Sequence, residues 1–345
     1  MKTVVFLIHK MGMGYGVSVV VDEICKRLIK LRIPVQVITG EHERAFANGY
    51  LIHECESSFE QVRHALAQIK NPVIIAHTTP YFEMLPALTD LGYECIALEA
   101  GDPDPSLFQN DRIERSNIAL NKQLHVYPKI KSVIAISDFI KEDIKWPNSI
   151  VVKLGCDHVV YLGTKDLNEL NFNLNSRLRI GTLMRLGKGE AMYKGGHLFL
   201  AIVKNLKERN IDIEPYILGR GTDQDVEEFR KNGFQIVLNG TEIEKRKFLR
   251  NLDVFVSCSL WEGFNLPLAE AQALGTVGLA FDTGAHPEVT PFVFDNQNSM
   301  LEFIASIALN RTTLIEHSRS SYKFVRNQFK WDEVVYKLIQ ELEVF

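Results

Sequence analysis

SLWEGFNLPLAEAQALGT, from Ser259 to Thr276, decides how the chain is read, because it joins an apolar strand to a loop and then to the start of a helix. Upstream, DVFVSCS (Asp253 to Ser259) is rich in β-branched and aromatic residues and predicts a buried parallel strand. Trp261, Glu262 and Gly263 make the turn. Asn265 followed by Pro267 predicts a helix start, and Gly275 predicts its end. A helix beginning directly after a buried strand presents unpaired N–H groups and a partial positive charge at the carboxyl edge of the sheet, which suits phosphate. The N–H groups around Gly263, Phe264, Asn265 and Leu266 would hold it. Glu262 in the loop and Glu270 one turn into the helix flank the site, placed to bond sugar or ribose hydroxyls. Taken singly, each has an equally good plain reading: Glu270 as a complement to the helix dipole, Glu262 as a solvated loop residue.

Taken whole, EGFNLPLAEAQALGT resembles the donor-binding signature of retaining glycosyltransferases of the GT-B fold, glycosyltransferase family 4 (glycosyl transferases group 1). In that pattern a Glu is followed by seven residues and a second Glu, with a GFGLP-like segment between; Glu262 and Glu270 keep the spacing, and Asn265 replaces the commoner second glycine. The resemblance implies an α/β protein of two facing Rossmann-like, doubly wound domains with the active site in the cleft between them. It also implies a C-terminal helix that crosses back to the first domain.

At 345 residues the chain suits two domains of ordinary size. Hydrophobic content of 46%, charged content of 24% and a net charge of -4 describe an ordinary globular chain and argue against a general nucleic-acid binder. Five widely spaced cysteines, Cys25, Cys55, Cys95, Cys156 and Cys258, fit reduced thiols, so neither disulfide nor zinc is expected. MKTVVFLIHKMGMG breaks into glycines too soon for a signal peptide or a span, which gives a cytoplasmic expectation, with peripheral contact at the inner membrane face allowed.

In the first half, TVVFLIH (3 to 9), a glycine loop with Gly12, Gly14 and Gly16, and VSVVVDEICKRLIKLR predict strand, loop and helix. The spacing is G-x-G-x-G, with Ser18 where a dinucleotide fingerprint has its third glycine, so a structural turn is as good a reading. By the resemblance, Gly14 and Gly16 face the donor. PVQVIT (34 to 39), PVIIAH (72 to 77), YECIALE (93 to 99) and SVIAIS (132 to 137) continue the alternation of a parallel sheet, whose ligand edge lies at the strand carboxyl ends. His77 stands at one such end, and Glu99 and Asp102 at another. Many relatives carry a His where this chain has Glu99 or Asp102, so these two become catalytic candidates. Asp102-Pro103-Asp104 and Asp223-Gln224-Asp225 spell D-x-D and are read as turns, not metal sites. Asp138 is read as capping or charging a helix start, and residues 111 to 131, with Arg112, Arg115, Lys122, Lys129 and Lys131, as a solvated basic helix face or, less simply, a membrane contact.

The polar, Asn-rich stretch 161 to 176 is taken as the domain boundary, giving domains 1–165 and 166–328 and a terminal helix 329–345. In that helix Trp331, Val334, Val335, Leu338 and Leu342 share a face. RLRIGTLM then restarts the strand–loop–helix pattern. The resemblance assigns Arg185 and the Lys194-Gly195 pair to the donor diphosphate, with Lys188 competing, places Gly219 in the glycine turn after the next strand, and puts Glu288 of TGAHPEV in an acidic position, where it reads equally as a helix-start residue.

The expected reaction is transfer of a sugar from a nucleotide diphosphate sugar (UDP, GDP or dTDP) to a glycan, lipid-linked or small-molecule hydroxyl acceptor, with retention, no divalent metal and no other cofactor. Charge stabilisation at the leaving diphosphate is what the protein must supply. Catalytic candidates are Glu262, Arg185, Lys194, Glu99 and Asp102; donor-binding candidates are Gly14, Gly16, Arg185, Lys194, Gly219, Gly263, Phe264, Asn265, Leu266 and Glu270. Two alternatives stand: a nucleotide-sugar epimerase using Glu99 and Asp102, and a non-catalytic nucleotide-sugar binding subunit.

Overall fold

A computed structural model describes residues 1–44, 46, 49–108, 111–162, 177–187 and 190–343. The chain forms two compact units, Met1–Gly155 with Lys330–Phe345, and Cys156–Phe329. The units therefore part at Gly155 and Cys156, earlier in the chain than the polar stretch taken as the boundary, most of which (163–176) lies outside the described residues.

The first unit is built on strands β1 (Thr3–Met11), β2 (Val35–His42), β3 (Leu51–Glu54), β4 (Pro72–Ala76), β5 (Glu94–Glu99), β6 (Ser132–Ala135) and β7 (Ser149–Val151), in the order β3-β2-β1-β4-β5-β6-β7. Every neighbouring pair is parallel. The central strands are apolar throughout because helices cover both faces: Val4 to Ile8 and Val73 to Ala76 are at most 1% exposed. Its helices are α1 (Gly16–Lys30), α2 (Phe59–Ala67), α3 (Tyr81–Asp90), α4 (Arg112–Asn121) and α5 (Asp138–Asp143).

The second unit repeats the plan. Strands β8 (Leu178–Arg185), β9 (Ile213–Arg220), β10 (Gln235–Leu238), β11 (Val254–Ser257), β12 (Val277–Phe281) and β13 (Val293–Phe294) run in the order β10-β9-β8-β11-β12-β13, again parallel. Helices α6 (Glu190–Tyr193), α7 (Gly196–Glu208), α8 (Glu227–Lys231), α9 (Glu242–Asn251), α10 (Leu266–Ala273), α11 (His286–Val289), α12 (Gln297–Leu309) and α13 (Arg311–Arg326) surround it. In each sheet the strand order reverses at the first strand of the unit, β1 or β8, the place where doubly wound folds bind ligands beyond the strand carboxyl ends.

The last helix, α14 (Trp331–Leu342), returns to the first unit and packs on α1, where Arg27 Nε donates to Asp332 Oδ1 at 2.9 Å. The expected stripe of Trp331, Val334, Val335, Leu338 and Leu342 is buried. Gly155 is required here: a Cβ on it would lie 2.5 Å from Trp331 Cγ.

Candidate active site

In the second unit the segment after β11 folds as its residues suggest. Asn265 takes φ 68°, a left-handed value that Gly tolerates freely and Asn better than most, so an Asn can stand where a glycine is commoner. Its Oδ1 accepts from Leu268 N at 3.2 Å as the cap of α10, and its Nδ2 donates to Ser257 Oγ at 2.8 Å and His286 Nε2 at 2.9 Å. His286 Nδ1 lies 2.9 Å from Phe281 O, so the ring donates through Nδ1 and accepts through Nε2; burial keeps it neutral by lowering its pKa. Gly275 (φ 84°) ends α10: its N–H bonds Gln272 O at 2.9 Å, and Thr276 N bonds Ala271 O at 3.0 Å. The N–H groups of Phe264, Asn265 and Leu266 have no acceptor among the described residues. Phe264's ring is core, edge-on to Phe329 at 5.1 Å, so only its backbone is available to a ligand.

Lys194 reaches this loop directly. Its Nζ lies 2.8 Å from Glu262 Oε1, with the side chains 16% and 14% exposed. Burial lowers the lysine and raises the glutamate, but their mutual attraction outweighs it, so Lys194 titrates above and Glu262 below its ordinary range. A hydrogen bond from Ser259 also favours the Glu262 carboxylate. The pairing depends on Gly195 (φ 70°): a Cβ there would fall 1.9 Å from Cys258 O, so only glycine lets the start of α7 lie against the end of β11. Leu260 N bonds Tyr193 O at 2.7 Å, and Ala285 N bonds Glu262 O at 2.9 Å, locking three loops together. Arg185, at the end of β8, donates to Tyr193 Oη at 3.4 Å and is close enough to lower the Lys194 pKa. Arg185, Lys194, Glu262 and the N-terminus of α10 thus share one sheet edge; Lys188 lies outside the described residues.

Glu270 is not the open binding group that its place in the sequence suggests. It is fully buried, with Oε1 2.9 Å from Lys245 Nζ and 3.0 Å from His158 Nε2, while Oε2 has no partner among the described residues. His158, Glu242 and Glu270 bring three ligand atoms within 4.8 Å of one another, the donor set of a metal site. The Lys245 ammonium already bonds both carboxylates, at 2.8 Å to Glu242 and 2.9 Å to Glu270, and supplies the charge a metal would bring. Gly219 sits inside β9, where a Cβ would lie 2.5 Å from Leu186 Cδ1, so packing alone accounts for the glycine. Glu288 is in the first turn of α11, and it is the neighbouring His286 that joins the Asn265 network.

In the first unit, Gly14 takes φ 77° and Gly16 opens α1, whose N-cap, Tyr15, makes no side-chain cap bond. Ser18, at the third fingerprint position, stitches the loop shut: its Oγ accepts from Gly12 N at 3.2 Å and donates to Lys10 O at 2.8 Å. Glu99 and Asp102 do meet at the end of β5, but through a lysine that the sequence reading left among solvated cations. Lys122 is 2% exposed, in a π turn that continues α4, and its Nζ lies 2.9 Å from Glu99 Oε2 and 2.5 Å from Asp102 Oδ2. Glu99 also accepts from Tyr127 Oη at 2.7 Å and Gly101 N at 2.8 Å. Burial raises its pKa, yet Lys122 and these donors bring it below the ordinary value, so Glu99 is a saturated anion. Asp102 is a third exposed; burial and Glu99 raise its pKa against the pull of Lys122. His77 is buried and neutral, its Nδ1 unpartnered among the described residues.

Both D-x-D motifs are turns: Asp104 Oδ1 accepts from Ser106 N at 2.8 Å, and Asp225 Oδ2 accepts from Thr222 N at 2.7 Å. The cap of α5 is Ser137, Oγ accepting from Ile140 N at 3.1 Å, while Asp138 pairs with Lys153 at 2.7 Å.

Residues 179–309 match the family model for glycosyl transferases group 1. No curated protein gives a significant sequence match. Among solved structures, the chain superposes on a sucrose-phosphate synthase from Thermosynechococcus elongatus at TM-score 0.79 and 13% identity, covering 99% of this chain and 98% of that one. A glycosyltransferase from Rickettsia africae ESF-5 gives 0.71 at 16%, with 99% and 98% coverage. WaaG, a glycosyltransferase involved in lipopolysaccharide biosynthesis, gives 0.70 at 11%, with 98% and 99% coverage. The fold is that of the GT-B glycosyltransferases, two Rossmann-like α/β domains with parallel sheets.

Proposed function

We propose that this protein is a retaining glycosyltransferase that moves a sugar from a nucleotide diphosphate sugar to a hydroxyl acceptor in glycan synthesis. One observation carries the reading: the unsatisfied N–H groups at Phe264 to Leu266 stand beside Arg185 and the Lys194–Glu262 pair at the carboxyl edge of the second sheet. An anion at that place meets the positive end of α10, a guanidinium and an ammonium together. Preorganised donors of this kind stabilise charge that develops on a leaving group, which is what departure of a nucleoside diphosphate demands. The unpartnered Oε2 of Glu270 supports a ribose contact, since a buried carboxylate oxygen without a donor costs free energy that a ligand hydroxyl would recover. The group 1 glycosyl transferase match over this same unit supports the donor assignment.

In this mechanism the acceptor hydroxyl approaches from the face the diphosphate leaves, and the leaving phosphate oxygen takes its proton. The protein then needs no strong base. Glu262, held ionised by Lys194, answers positive charge developing at the sugar ring.

The test is a thermal-shift panel of nucleotides and UDP, GDP, ADP and dTDP sugars, followed by product stereochemistry by NMR with the best donor. A donor at 100 times its dissociation constant should stabilise by about 2.7 kcal/mol. No shift with any nucleotide sinks the reading. An epimer formed from donor alone would make the protein an epimerase.

A further inference from the structure

The carboxyl ends of β4 and β5, neighbouring strands of the first unit, hold a charged cluster that the transfer chemistry above leaves unused. Glu99 ends β5, and Gly101, at φ 79°, turns the chain back so that Asp102 meets the same ammonium as Glu99, that of Lys122. This lysine opens a π turn, a rare element that recurs at functional sites. Its Nζ lies 5.1 Å from the centre of the Phe82 ring, which walls it on one side.

Glu99 has no need of Asp102. It accepts from Lys122, Tyr127 and Gly101, and its charge and that of Lys122 already cancel. Asp102 is therefore a surplus carboxylate beside a like charge, a cost that a purely structural ion pair would not carry. It is also the member of the trio that reaches solvent: its side chain is a third exposed, against 3% for Lys122 and 2% for Glu99. Two buried nitrogens facing the cluster have no hydrogen-bond partner among the described residues. One is Nδ1 of His77, a buried ring on which the charges of Glu99 and Lys122 both act; the other is Nε of Arg115, whose charge acts on Asp102. Buried polar atoms left open in this way call for a ligand or water.

We propose that Lys122 is a positioning residue, which holds the Asp102 carboxylate to accept a hydrogen bond from a hydroxyl of the sugar acceptor. An anion would face Glu99 and Asp102, and a cation would face Lys122 and Arg115, whereas a hydroxyl meets neither repulsion. Asp102 orients the hydroxyl and leaves it its proton, which the departing phosphate takes. The word acceptor rests on the transfer reading above, in which the donor belongs to the second unit; the hydroxyl binding does not.

The experiment follows binding of the methyl α-glycosides of glucose, mannose, galactose and N-acetylglucosamine to the full chain, without donor, by saturation-transfer NMR. At least one should bind, and Asp102→Asn should weaken it about tenfold, the scale of a hydrogen bond to a charged group. That variant leaves the Lys122–Glu99 pair whole and is expected to fold. The pair variant Glu99→Gln/Lys122→Met removes both buried charges together, keeps Asp102, and should lose binding to the same extent. A lysine with only a structural role would move the melting temperature and spare the binding. The pH profile gives a further readout. The titratable groups facing the cluster are His77 after β4, Glu99 of β5, Arg115 of α4, Lys122 and Tyr127 of the segment after α4, and Asp143 of α5. Burial and Glu99 raise the Asp102 pKa against Lys122, so binding by the parent should weaken as the pH falls toward that raised value, and binding by Asp102→Asn should not follow it. No saturation transfer to any of the glycosides, or parent-like binding by Asp102→Asn or by the pair variant, overturns the proposal. Absence of any donor-induced thermal shift in the parent protein counts against the transfer reading alone, since the glycosides are read without donor.

Discussion

At Glu270 a single side chain carries both a place in the candidate site and a share of the core. The spacing from Glu262 was legible in the sequence, whereas its burial was not, because Lys245 and His158 reach it from other elements. Glu270→Ala should therefore unfold the second unit more easily: removing one partner of a buried ion pair costs about 3–5 kcal/mol, read by urea denaturation. Burial raises the Glu270 carboxyl, but Lys245 and His158 outweigh it and bring it from 4.5 to about 2. A carboxyl depressed by folding stabilises fully above its unfolded pKa, so this contribution should hold above pH 4.5 and vanish as the pH falls through about 2. A stability curve for Glu270→Gln that runs parallel to the parent's over that interval would remove Glu270 from the account. Lys194→Ala should lower kcat about 10²- to 10³-fold in a transfer assay, since it removes a cation from the leaving group and frees Glu262. Lys122 shows the opposite limit of reading: Asn121 and Gln123, which flank it in sequence, are polar and uncharged, and only the fold reveals the two carboxylates it joins.

At the scale of elements, the start of α7 and the end of β11 make one joint. Gly195→Ala places a methyl where Cys258 O already stands and forces a side chain into left-handed backbone. Strain of the backbone alone is worth about 1–3 kcal/mol, and the overlap adds to it. The expected outcome is a clear fall in the melting temperature together with weaker donor binding, because the joint carries Lys194 to Glu262; an unaltered melting curve would contradict the close approach. The strand–loop–helix order around α10 was legible because caps and glycines act locally: Asn265, Pro267 and Gly275 each occupy the position their chemistry suggests. The short strands β3 and β7 were not, since LIHE and SIV are too brief to show a period and become strands only by pairing with β2 and β6. The π turn from Lys122 to Val126 likewise has no local signal; it buries Lys122 and Val126 where a continued solvated helix was expected.

For the molecule as a whole, the chemistry proposed assigns the leaving charge to side chains and backbone. Transfer should persist near its full rate in excess EDTA; abolition by EDTA with rescue by Mg or Mn would return the His158, Glu242 and Glu270 group to consideration as a metal site. The two-unit plan was legible from length and from the repeated strand–loop–helix grammar. Where the units part was less so, because buried apolar positions, Val152, Leu154, Cys156 and Val159, fall on both sides of the division. The second unit is closed at its own ends: Cys156 N bonds Phe329 O at 3.0 Å. In topological terms it is an insertion within the first, which cannot be completed until α14 has been made. On the ribosome the inserted module emerges whole and can fold while its host still lacks a helix, so the order of folding runs against the order of numbering. A gene fragment encoding 156–329 should yield a folded module, and one encoding 1–155 alone should not.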